Sequence, residues 1–417
     1  MCDGVTERPV TPEQFYDVMH GLGLWLPDTP DAPPVALAVS GGSDSLAMAW
    51  LASHWRTRLL ALVVDHGLRE ESAREAEIAR QMLEGFGITT CVLQLTDLQA
   101  GAGIAKRARD ARYEALIAAC REAGCVDLLV AHQEDDQAET VVMRQRRGEG
   151  LGLAGMARIA ELADIRLVRP LLGVSRMALR ATLRRAGVSW CEDPSNANRK
   201  AERVRVRQDL TAQARTAAIG LSRKIAIRRM QQAGESAAWL AAVGCLPFPG
   251  WVALGETLPS CSTLAALIRT IGARPYAPSR ASVEAAIAAN RPVTLSGVRL
   301  LRARPLPGLE EQWLMVREEA AMETALPARD GVCWDRRFTL RAGGIPSDLF
   351  VAAAGWGLPR SLRKGWPAVA CATLPALWRK GRRVCVPHLG LCEEESLKNV
   401  TFDLIPPVPV TETTRWD

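Results

Sequence analysis

The chain has 417 residues and a net charge of +6, with 48% hydrophobic and 24% charged residues. This length allows two or three domains, each with its own core. The mild positive charge permits an RNA partner, but it is weaker than that of a dedicated nucleic-acid-binding domain. No apolar stretch approaches the ~20 residues that span a bilayer. The first residues lack a signal peptide's basic and apolar regions, and the 11 cysteines form no Cys-x-x-Cys pair. We therefore expect a cytoplasmic protein with reduced thiols and no membrane partner.

The first two hundred residues alternate between short apolar runs and stretches rich in Ala, Arg and Glu. The runs that we predict to be strands are Val35–Val39, Leu59–Val64, Ile88–Leu95, Asp127–Ala131 and Ile165–Val168. Helical stretches such as Ser72–Phe86 and Lys106–Glu122 lie between them. Short continuous apolar strands with helical crossovers are typical of a parallel sheet covered on both faces. We therefore expect a doubly wound, Rossmann-like α/β domain.

The character of the sequence changes near residue 210. A helical, Ala- and Arg-rich stretch runs from Thr211 to about Val243, and segments interrupted by Pro and Gly follow it. Glu318–Pro327 is a candidate linker to a final module with the strand-like pieces Phe338–Arg341 and Arg383–Val386. The predicted parts are an α/β catalytic domain over 1–212, a mainly helical middle domain over 213–327, and a small α+β domain over 328–417.

A glycine-rich turn directly follows the first predicted strand. Its sequence is Ser40-Gly41-Gly42-Ser43-Asp44-Ser45. Paired glycines let successive N–H groups point into one concavity, and the helix that begins there adds its dipole. An Asp inside such an anion cradle suggests a cation, so Asp44 is a candidate Mg²⁺ ligand beneath a polyphosphate. Because no Walker lysine is present, we expect the turn to hold a pyrophosphate while ATP is cleaved between its α- and β-phosphates.

An acidic segment follows the fourth predicted strand. If a helix begins near Asp135, then Asp136, Glu139 and Thr140 share one face, and His132 extends that line toward the strand. Carboxylates and an imidazole on one face suit metal binding and amine handling. The alternative is a solvated helix start with acids at the favourable dipole end. In a doubly wound sheet the first and fourth strands flank the point where ligands bind, so we expect both segments to face one site.

Further polar residues follow the second predicted strand and lie on the next helix. Asp65 and His66 could line a nucleotide pocket, with Arg69 near a phosphate, and Arg112 could reach a carboxylate or phosphate. The alternatives are a solvated Gly turn and a solvent-facing arginine. Both readings are open at this point.

Basic residues cluster near the end of the first domain. The segment that begins at Asp193 ends in the cations Arg199, Lys200, Arg203, Arg205 and Arg207. Such density suits phosphate contacts with RNA, which position a substrate without reading its bases. A solvated basic helix or strand is the alternative. Arg176, Arg180 and Arg184 recur every four residues and form a second basic stripe.

Together these motifs resemble the tRNA(Ile)-lysidine synthetase family of PP-loop ATP-pyrophosphatases. The resemblance rests on SGGSDS at 40–45, VDHGLR at 64–69, ARDARY at 108–113, AHQEDDQAET at 131–140, Arg147-Gly148, Arg169-Pro-Leu-Leu172 and the Arg203–Arg207 run. It implies that ATP adenylates the C2 carbonyl oxygen of the wobble cytidine, position 34, in an isoleucine tRNA with a CAU anticodon. The ε-amine of free L-lysine then attacks C2, which gives lysidine, AMP and diphosphate.

The resemblance also implies roles for individual residues. Asp44 and Asp136 would ligate Mg²⁺, and the turn 40–45 would hold the ATP phosphates beside Asp65 and His66. The residues implied to bind or activate lysine and the reacting base are Arg112, His132 and Glu139. The basic residues implied to contact nucleotide or tRNA are Arg147, Arg203, Arg205 and Arg207.

Two other functions are open at this point. A PP-loop enzyme that thiolates tRNA would usually need paired cysteines near the turn, and none are placed so. A non-catalytic tRNA-binding module would not need Asp44, Asp136 and Glu139, since pure binding requires no acids beside a polyphosphate. The sequence is also compatible with a homodimer.

Overall fold

The computed structural model describes residues 8–67, 72–95, 101, 103–162, 164–191, 202–243, 249–411 and 414–415. The chain divides into two compact units, Met1–Met230 with Thr413–Asp417, and Gln231–Glu412. The predicted boundaries near residues 212 and 327 stay predictions. Within the described ranges, no helix is long and apolar enough to cross a membrane.

The first unit is built on a mainly parallel sheet. Its strands are β1 (Val35–Val39), β2 (Leu59–Asp65), β3 (Thr89–Gln94), β4 (Asp127–Val130), β5 (Ile159–Glu161) and β6 (Arg166–Val168). The sheet order is β5-β6-β4-β1-β2-β3, and Thr414–Arg415 pairs antiparallel to β5 at one edge. Strands β5 and β6 are also antiparallel, and the remaining neighbouring strands are parallel. This order confirms the predicted doubly wound fold. The three-residue strand β5 was not predicted.

Helices cover both faces of this sheet. They are α1 (Pro12–Gly21), α2 (Ser43–Trp55), α3 (Ser72–Gly85), α4 (Ile104–Glu122), α5 (Glu134–Gln145), α6 (Arg176–Arg185), α7 (Glu202–Asp209) and α8 (Ala212–Val243), the last of which continues into the second unit. Alternate residues of β1 point to opposite faces. Leu37 packs with Leu46 and Leu51 of α2, whereas Ala36 packs with Leu116 of α4. The strands are therefore buried on both sides, as their unbroken apolar sequences predict.

The second unit contains antiparallel sheets and three further α-helices among its described residues. Its strands are β7 (Val252–Gly255), β8 (Val293–Leu295), β9 (Val298–Ala303), β10 (Gln312–Arg317), β11 (Leu326–Pro327), β12 (Cys333–Trp334), β13 (Phe338–Arg341), β14 (Phe350–Ala353), β15 (Pro375–Arg379), β16 (Arg382–Val386), β17 (Leu391–Cys392) and β18 (Thr401–Leu404). Its helices are α9 (Cys261–Ile271), α10 (Arg280–Ala289) and α11 (Ala368–Ala372). The sheet orders are β7-β10-β9-β8, β11-β14-β15-β16-β17 and β12-β13-β18.

The sheet β7-β10-β9-β8 adds strands to a region that the sequence predicted to be mainly helical. Helix α9 packs Leu264, Leu267 and Ile268 against Trp313 and Met315 of this sheet. Segments that contain Pro and Gly lie between its strands, so the sequence gave no clear strand pattern. The strand-like pieces predicted in the final module correspond to β13 and β16.

One cysteine pair differs from the expectation of reduced thiols. Cys385 and Cys392 lie opposite each other on β16 and β17, with Cα atoms 4.1 Å apart, and form a disulfide. The other seven cysteines among the described residues are free. Strand pairing, which no cysteine spacing motif signals, brings these two residues together.

Candidate active site

A cavity of about 900 Å³ opens at the carboxyl ends of β1, β2 and β4. The predicted site residues that line it are Ser40, Gly41, Gly42, Ser43, Asp44, Ser45, Asp65, His66, Arg112, His132, Asp136 and Arg207. Residues from distant parts of the sequence meet here because parallel strands end at the same edge of the sheet. Glu139, Arg147, Arg203 and Arg205 lie outside this lining.

The turn between β1 and α2 is held by hydrogen bonds between its own residues, and it lines the cavity. Ser45 Oγ accepts a hydrogen bond from the Ser40 N–H at 3.2 Å and donates to the Gly42 carbonyl at 3.0 Å. Gly41 has φ +79°, and a Cβ there would lie 3.3 Å from Ala79 Cβ. Gly42 is the N-cap of α2 and makes no side-chain cap. The first amide groups of α2 are therefore available to an anion.

Two carboxylates approach the same guanidinium beside this turn. Arg176 Nε lies 3.4 Å from Asp44 Oδ2, and Arg176 Nη2 lies 3.5 Å from Asp136 Oδ1. The buried Gln133 donates from Nε2 to Asp44 Oδ2 at 3.5 Å and from its backbone N–H to Asp136 Oδ2 at 3.2 Å. Burial raises the pKa of Asp136 and the Glu139 carboxylate adds to the shift, whereas Arg203 and Arg176 oppose it. The cavity thus holds two acids near a cationic side chain.

The donor set fits a cation that is shared with a nucleotide. Mg²⁺ commonly takes one or two carboxylates and completes its shell with phosphate oxygens and water. Asp44 and Asp136 supply two such carboxylates in the cavity that the glycine-rich turn 40–45 lines. Among the described residues, no group of three or more His, Cys, Asp or Glu could hold a metal.

The predicted basic residues Arg203, Arg205 and Arg207 lie on two different faces of helix α7. Arg203 and Arg207, four residues apart, both turn toward Glu139, whose side chain is 1% exposed. Arg203 Nε donates to Glu139 Oε2 and Arg207 Nε to Oε1, each at 2.7 Å, and Arg203 Nη2 lies 2.9 Å from Asp136 Oδ1. Arg205 lies on the opposite face and is exposed. The predicted RNA contacts of Arg203 and Arg207 stay predictions, but in this arrangement both residues bind carboxylates.

Neutral imidazoles and a buried guanidinium line another part of the cavity. The buried polar atoms here that have no hydrogen-bond partner among the described residues are His66 Nδ1, Arg112 Nε, Tyr113 Oη and His132 Nδ1. Burial lowers the pKa of His132 to about 3, and the charges of Arg169 and Arg109 add to the shift. Burial and the Arg112 charge also lower the pKa of His66. Because buried polar groups are normally hydrogen-bonded, this group of atoms suits a polar ligand.

The remaining predicted residues have other surroundings. Asp65 Oδ1 accepts from the Gly67 N–H at 2.9 Å and from Ser72 Oγ at 2.6 Å, so it shapes the turn after β2. Arg147 is exposed and pairs with Glu202 at the start of α7. Some residues of the predicted basic segment and of the turn after β2 lie outside the described ranges. They are Arg69, Asp193, Arg199 and Lys200.

Several lining residues were not predicted as part of the site. They include Tyr113, Arg176, Arg180 and Cys191. The spacing of Arg176, Arg180 and Arg184 indicated a basic helix face, but not that two of the three would line a cavity. That outcome depends on how α6 meets α5, which no local pattern encodes.

Comparison with known proteins agrees with this arrangement. Residues 24–214 match the family model described as the PP-loop domain. A tRNA(Ile)-lysidine synthase of Bradyrhizobium sp. strain BTAi1 is 46% identical over 184 residues, which is 42% of this chain and 51% of that protein. The chain thus spans about half the length of the first curated relatives it matches.

Longer alignments exist with two other tRNA(Ile)-lysidine synthases. The Mesorhizobium japonicum protein is 34% identical over 349 residues, which cover 78% of this chain and 76% of that protein. The Ruegeria pomeroyi protein is 33% identical over 383 residues, which cover 86% of this chain and 90% of that protein. These alignments are too long to be confined to the PP-loop domain. The chain belongs to the tRNA(Ile)-lysidine synthase family.

Proposed function

We propose that this protein uses ATP to ligate L-lysine to C2 of the wobble cytidine in an isoleucine tRNA with a CAU anticodon. The observation that carries the proposal is the composition of one cavity. It combines the glycine-rich turn 40–45, the carboxylates of Asp44 and Asp136, and two atoms, Arg112 Nε and His132 Nδ1, that have no hydrogen-bond partner among the described residues. Family membership supports ATP as the nucleotide and tRNA(Ile) as the acceptor.

The turn and the start of α2 would hold the diphosphate part of ATP through backbone N–H groups. Asp44 and Asp136 would hold Mg²⁺, which when bound neutralises phosphate charge and favours departure of pyrophosphate. The cytidine C2 carbonyl oxygen attacks the α-phosphorus, and the bond from that phosphorus to the leaving pyrophosphate breaks. The absence of a Walker lysine fits a turn that retains pyrophosphate and does not present a γ-phosphate.

Lysine would react in the second step. Its ε-ammonium, with an ordinary pKa of about 10.4, must lose a proton before the nitrogen attacks C2 and the bond from C2 to the AMP oxygen breaks. His132 is uncharged at neutral pH, so its ring can accept a hydrogen bond from the amine without repelling it. Arg112 would fix the lysine carboxylate or a phosphate. Glu139, which the resemblance assigns to lysine, would contribute by holding Arg203 and Arg207 beside Asp136.

The tRNA contacts follow from exposure. Arg205 lies on α7, and Arg147 pairs with Glu202 at the start of that helix. Both side chains are exposed, so they are better candidates for phosphate contacts than Arg203 and Arg207. Arg203 and Arg207 would act mainly by shaping the site. The module at 328–417 is proposed to bind another part of the tRNA.

An assay of AMP release tests the proposal. The full chain would be incubated with ATP and Mg²⁺, with and without the CAU-bearing isoleucine tRNA and with and without lysine. We expect sustained AMP and pyrophosphate formation only when both substrates are present. AMP formation that needs neither substrate, or transfer of sulfur to the tRNA, would contradict the proposal.

A further inference from the structure

Arg176 connects two carboxylates that come from different strands of the sheet. Asp44 follows β1 and Asp136 follows the neighbouring strand β4, yet both lie within 3.5 Å of the same guanidinium. All three side chains are largely buried, with 19% of Arg176, 23% of Asp44 and 12% of Asp136 exposed. Like charges at this spacing repel each other in a medium less polar than water. Arg176, which lies near both carboxylates, offsets that repulsion, and Arg203, 2.9 Å from Asp136 Oδ1, adds positive charge on the Asp136 side.

The backbone of Arg176 is fixed independently of its side chain. The Arg176 N–H donates to Asp135 Oδ2 at 3.1 Å, and the Glu134 N–H donates to the Val174 carbonyl at 2.9 Å. Ser175 caps α6 by accepting from the Ala178 N–H at 3.1 Å. These contacts join the starts of α5 and α6. Removal of the guanidinium should therefore leave the Cα of residue 176 in place.

We propose that Arg176 is a positioning residue that stands in for the divalent cation between Asp44 and Asp136. A guanidinium is positively charged, but it carries one charge where Mg²⁺ carries two, and it lacks the compact size of that ion. A cation that enters between the carboxylates displaces the guanidinium. Arg176 then pairs with the phosphate oxygens of the nucleotide in the same cavity, which it lines together with the turn 40–45. The inference rests on the proposed function in taking Asp44 and Asp136 as the metal ligands.

This exchange couples cation binding to nucleotide binding. Without nucleotide, the cation must compete with a tethered guanidinium, so it binds weakly. With nucleotide present, the displaced guanidinium gains a phosphate partner in a charge-assisted hydrogen bond. Arg176 thus disfavours the metal alone and favours the metal together with polyphosphate.

Binding of Mn²⁺ to the nucleotide-free full chain, measured by electron paramagnetic resonance, tests the inference without any need for turnover. We expect Arg176→Ala to bind Mn²⁺ about tenfold more tightly than the unaltered protein, a change equivalent to 1.4 kcal/mol. Arg176→Lys, which keeps the charge, should stay close to the unaltered protein. The matched control is Arg184→Ala, two turns along α6 at an exposed position, which should change nothing. Asp44→Asn marks the site, because it should abolish the bound signal.

Nucleotide affinity supplies a second readout. Arg176→Ala should weaken ATP binding about tenfold in the presence of Mg²⁺, so its effect on Mn²⁺ and on ATP has opposite signs. A residue with a merely structural role would weaken both. Unchanged or weaker Mn²⁺ binding in Arg176→Ala, with binding still lost in Asp44→Asn, overturns this inference alone. The same holds if Arg184→Ala tightens Mn²⁺ binding equally, since bulk charge would then explain the effect.

A different result would show that the metal assignment itself is wrong. If Mn²⁺ binding is unaffected by Asp44→Asn and Asp136→Asn, those acids are not metal ligands and the inference fails with that assignment. Lysine incorporation into tRNA, measured separately, would still decide the proposed reaction. The two failures are therefore distinguishable.

Discussion

Glu139 of α5 and Arg203 of α7, which are 64 residues apart in the sequence, form an ion pair with a distance of 2.7 Å between Arg203 Nε and Glu139 Oε2. Arg207 binds the other carboxylate oxygen at the same distance, and Arg203 also reaches Asp136. A carboxylate as deeply buried as that of Glu139 is normally paired and hydrogen-bonded. The pair therefore anchors α7 to the acidic helix α5 and places cations behind the proposed metal ligand.

Arg203 and Arg207, which face Glu139, should contribute to the stability of the fold, whereas the exposed Arg205 should not. Arg203→Ala or Arg207→Ala alone should lower the free energy of unfolding by about 1–2 kcal/mol, because Glu139 keeps one partner. The double substitution should cost more than the sum, since it leaves a buried carboxylate unpaired. Arg205→Ala, at an exposed position, should change stability by about 0.5 kcal/mol at most. Urea denaturation measures all four, and equal losses from the three single substitutions would rule out this division of faces.

Binding of tRNA should show the reverse pattern. Arg205→Ala and Arg147→Ala should weaken tRNA binding and reduce the dependence of log K on log salt by about 0.7–0.9 for each lost phosphate contact. Fluorescence anisotropy at several salt concentrations measures both quantities. Since both side chains are exposed, thermal stability should not change. An unaltered salt slope in both variants would remove them from the RNA interface.

Asp136→Asn should abolish lysine incorporation, with a loss of at least about a hundredfold, because a neutral amide is a poor ligand for Mg²⁺. The fold should persist, since an Asn side-chain oxygen can still accept the Gln133 N–H hydrogen bond. Circular dichroism serves as the control for folding. Full activity in a folded variant would exclude Asp136 from the metal site.

His132 should make stability depend on acid pH. Its folded pKa is about 3, whereas an unfolded histidine titrates near 6.5. Between these values the unfolded chain binds a proton that the folded chain does not, so stability falls as pH drops from about 6.5 toward 3. Above pH 6.5 this contribution is constant. Replacement by Gln should reduce the loss of stability between pH 7 and pH 5 in urea denaturation, and an unchanged loss would contradict a neutral buried His132.

A side chain at position 155 should destabilise the fold, whereas one at position 152 should not. Gly155 has φ +73°, and a Cβ would lie 2.6 Å from Gln137 Oε1. Gln137 bonds both the N–H and the carbonyl of Met156, so it cannot move away freely. Gly155→Ala should cost roughly 2 kcal/mol. Gly152→Ala, with open space around its Cβ position, is the control, and similar melting temperatures for the two variants would contradict this account.

Local patterns predicted much of the fold and the phosphate side of the site. Unbroken apolar strands and the turn 40–45 carry their signal within a few residues, and parallel pairing then brings Asp44 and Asp136 to one edge of the sheet. The alternating Arg203, Arg205 and Arg207 gave only charge density. A helical period of 3.6 residues turns two of them inward and one outward, and their partner Glu139 is 64 residues away along the chain from Arg203.

The position of Arg176 could not be predicted for a similar reason. It depends on the contact between the starts of α5 and α6, which the Asp135 side chain and the Val174 carbonyl form. These are single long-range hydrogen bonds without a repeating pattern. Strands of the middle region, β9 and β10 among them, were missed although they have six residues each. Pro and Gly between them interrupt the pattern on which a strand prediction depends.

The most direct test of the proposed reaction is the mass of the nucleoside at position 34 after incubation with isotopically labelled lysine and ATP. We expect one labelled lysine attached to the wobble cytidine of the CAU-bearing isoleucine tRNA for each AMP formed, and no label in tRNAs with other anticodons. An unmodified cytidine despite AMP formation, or a product that contains sulfur and no lysine, would contradict the central claim.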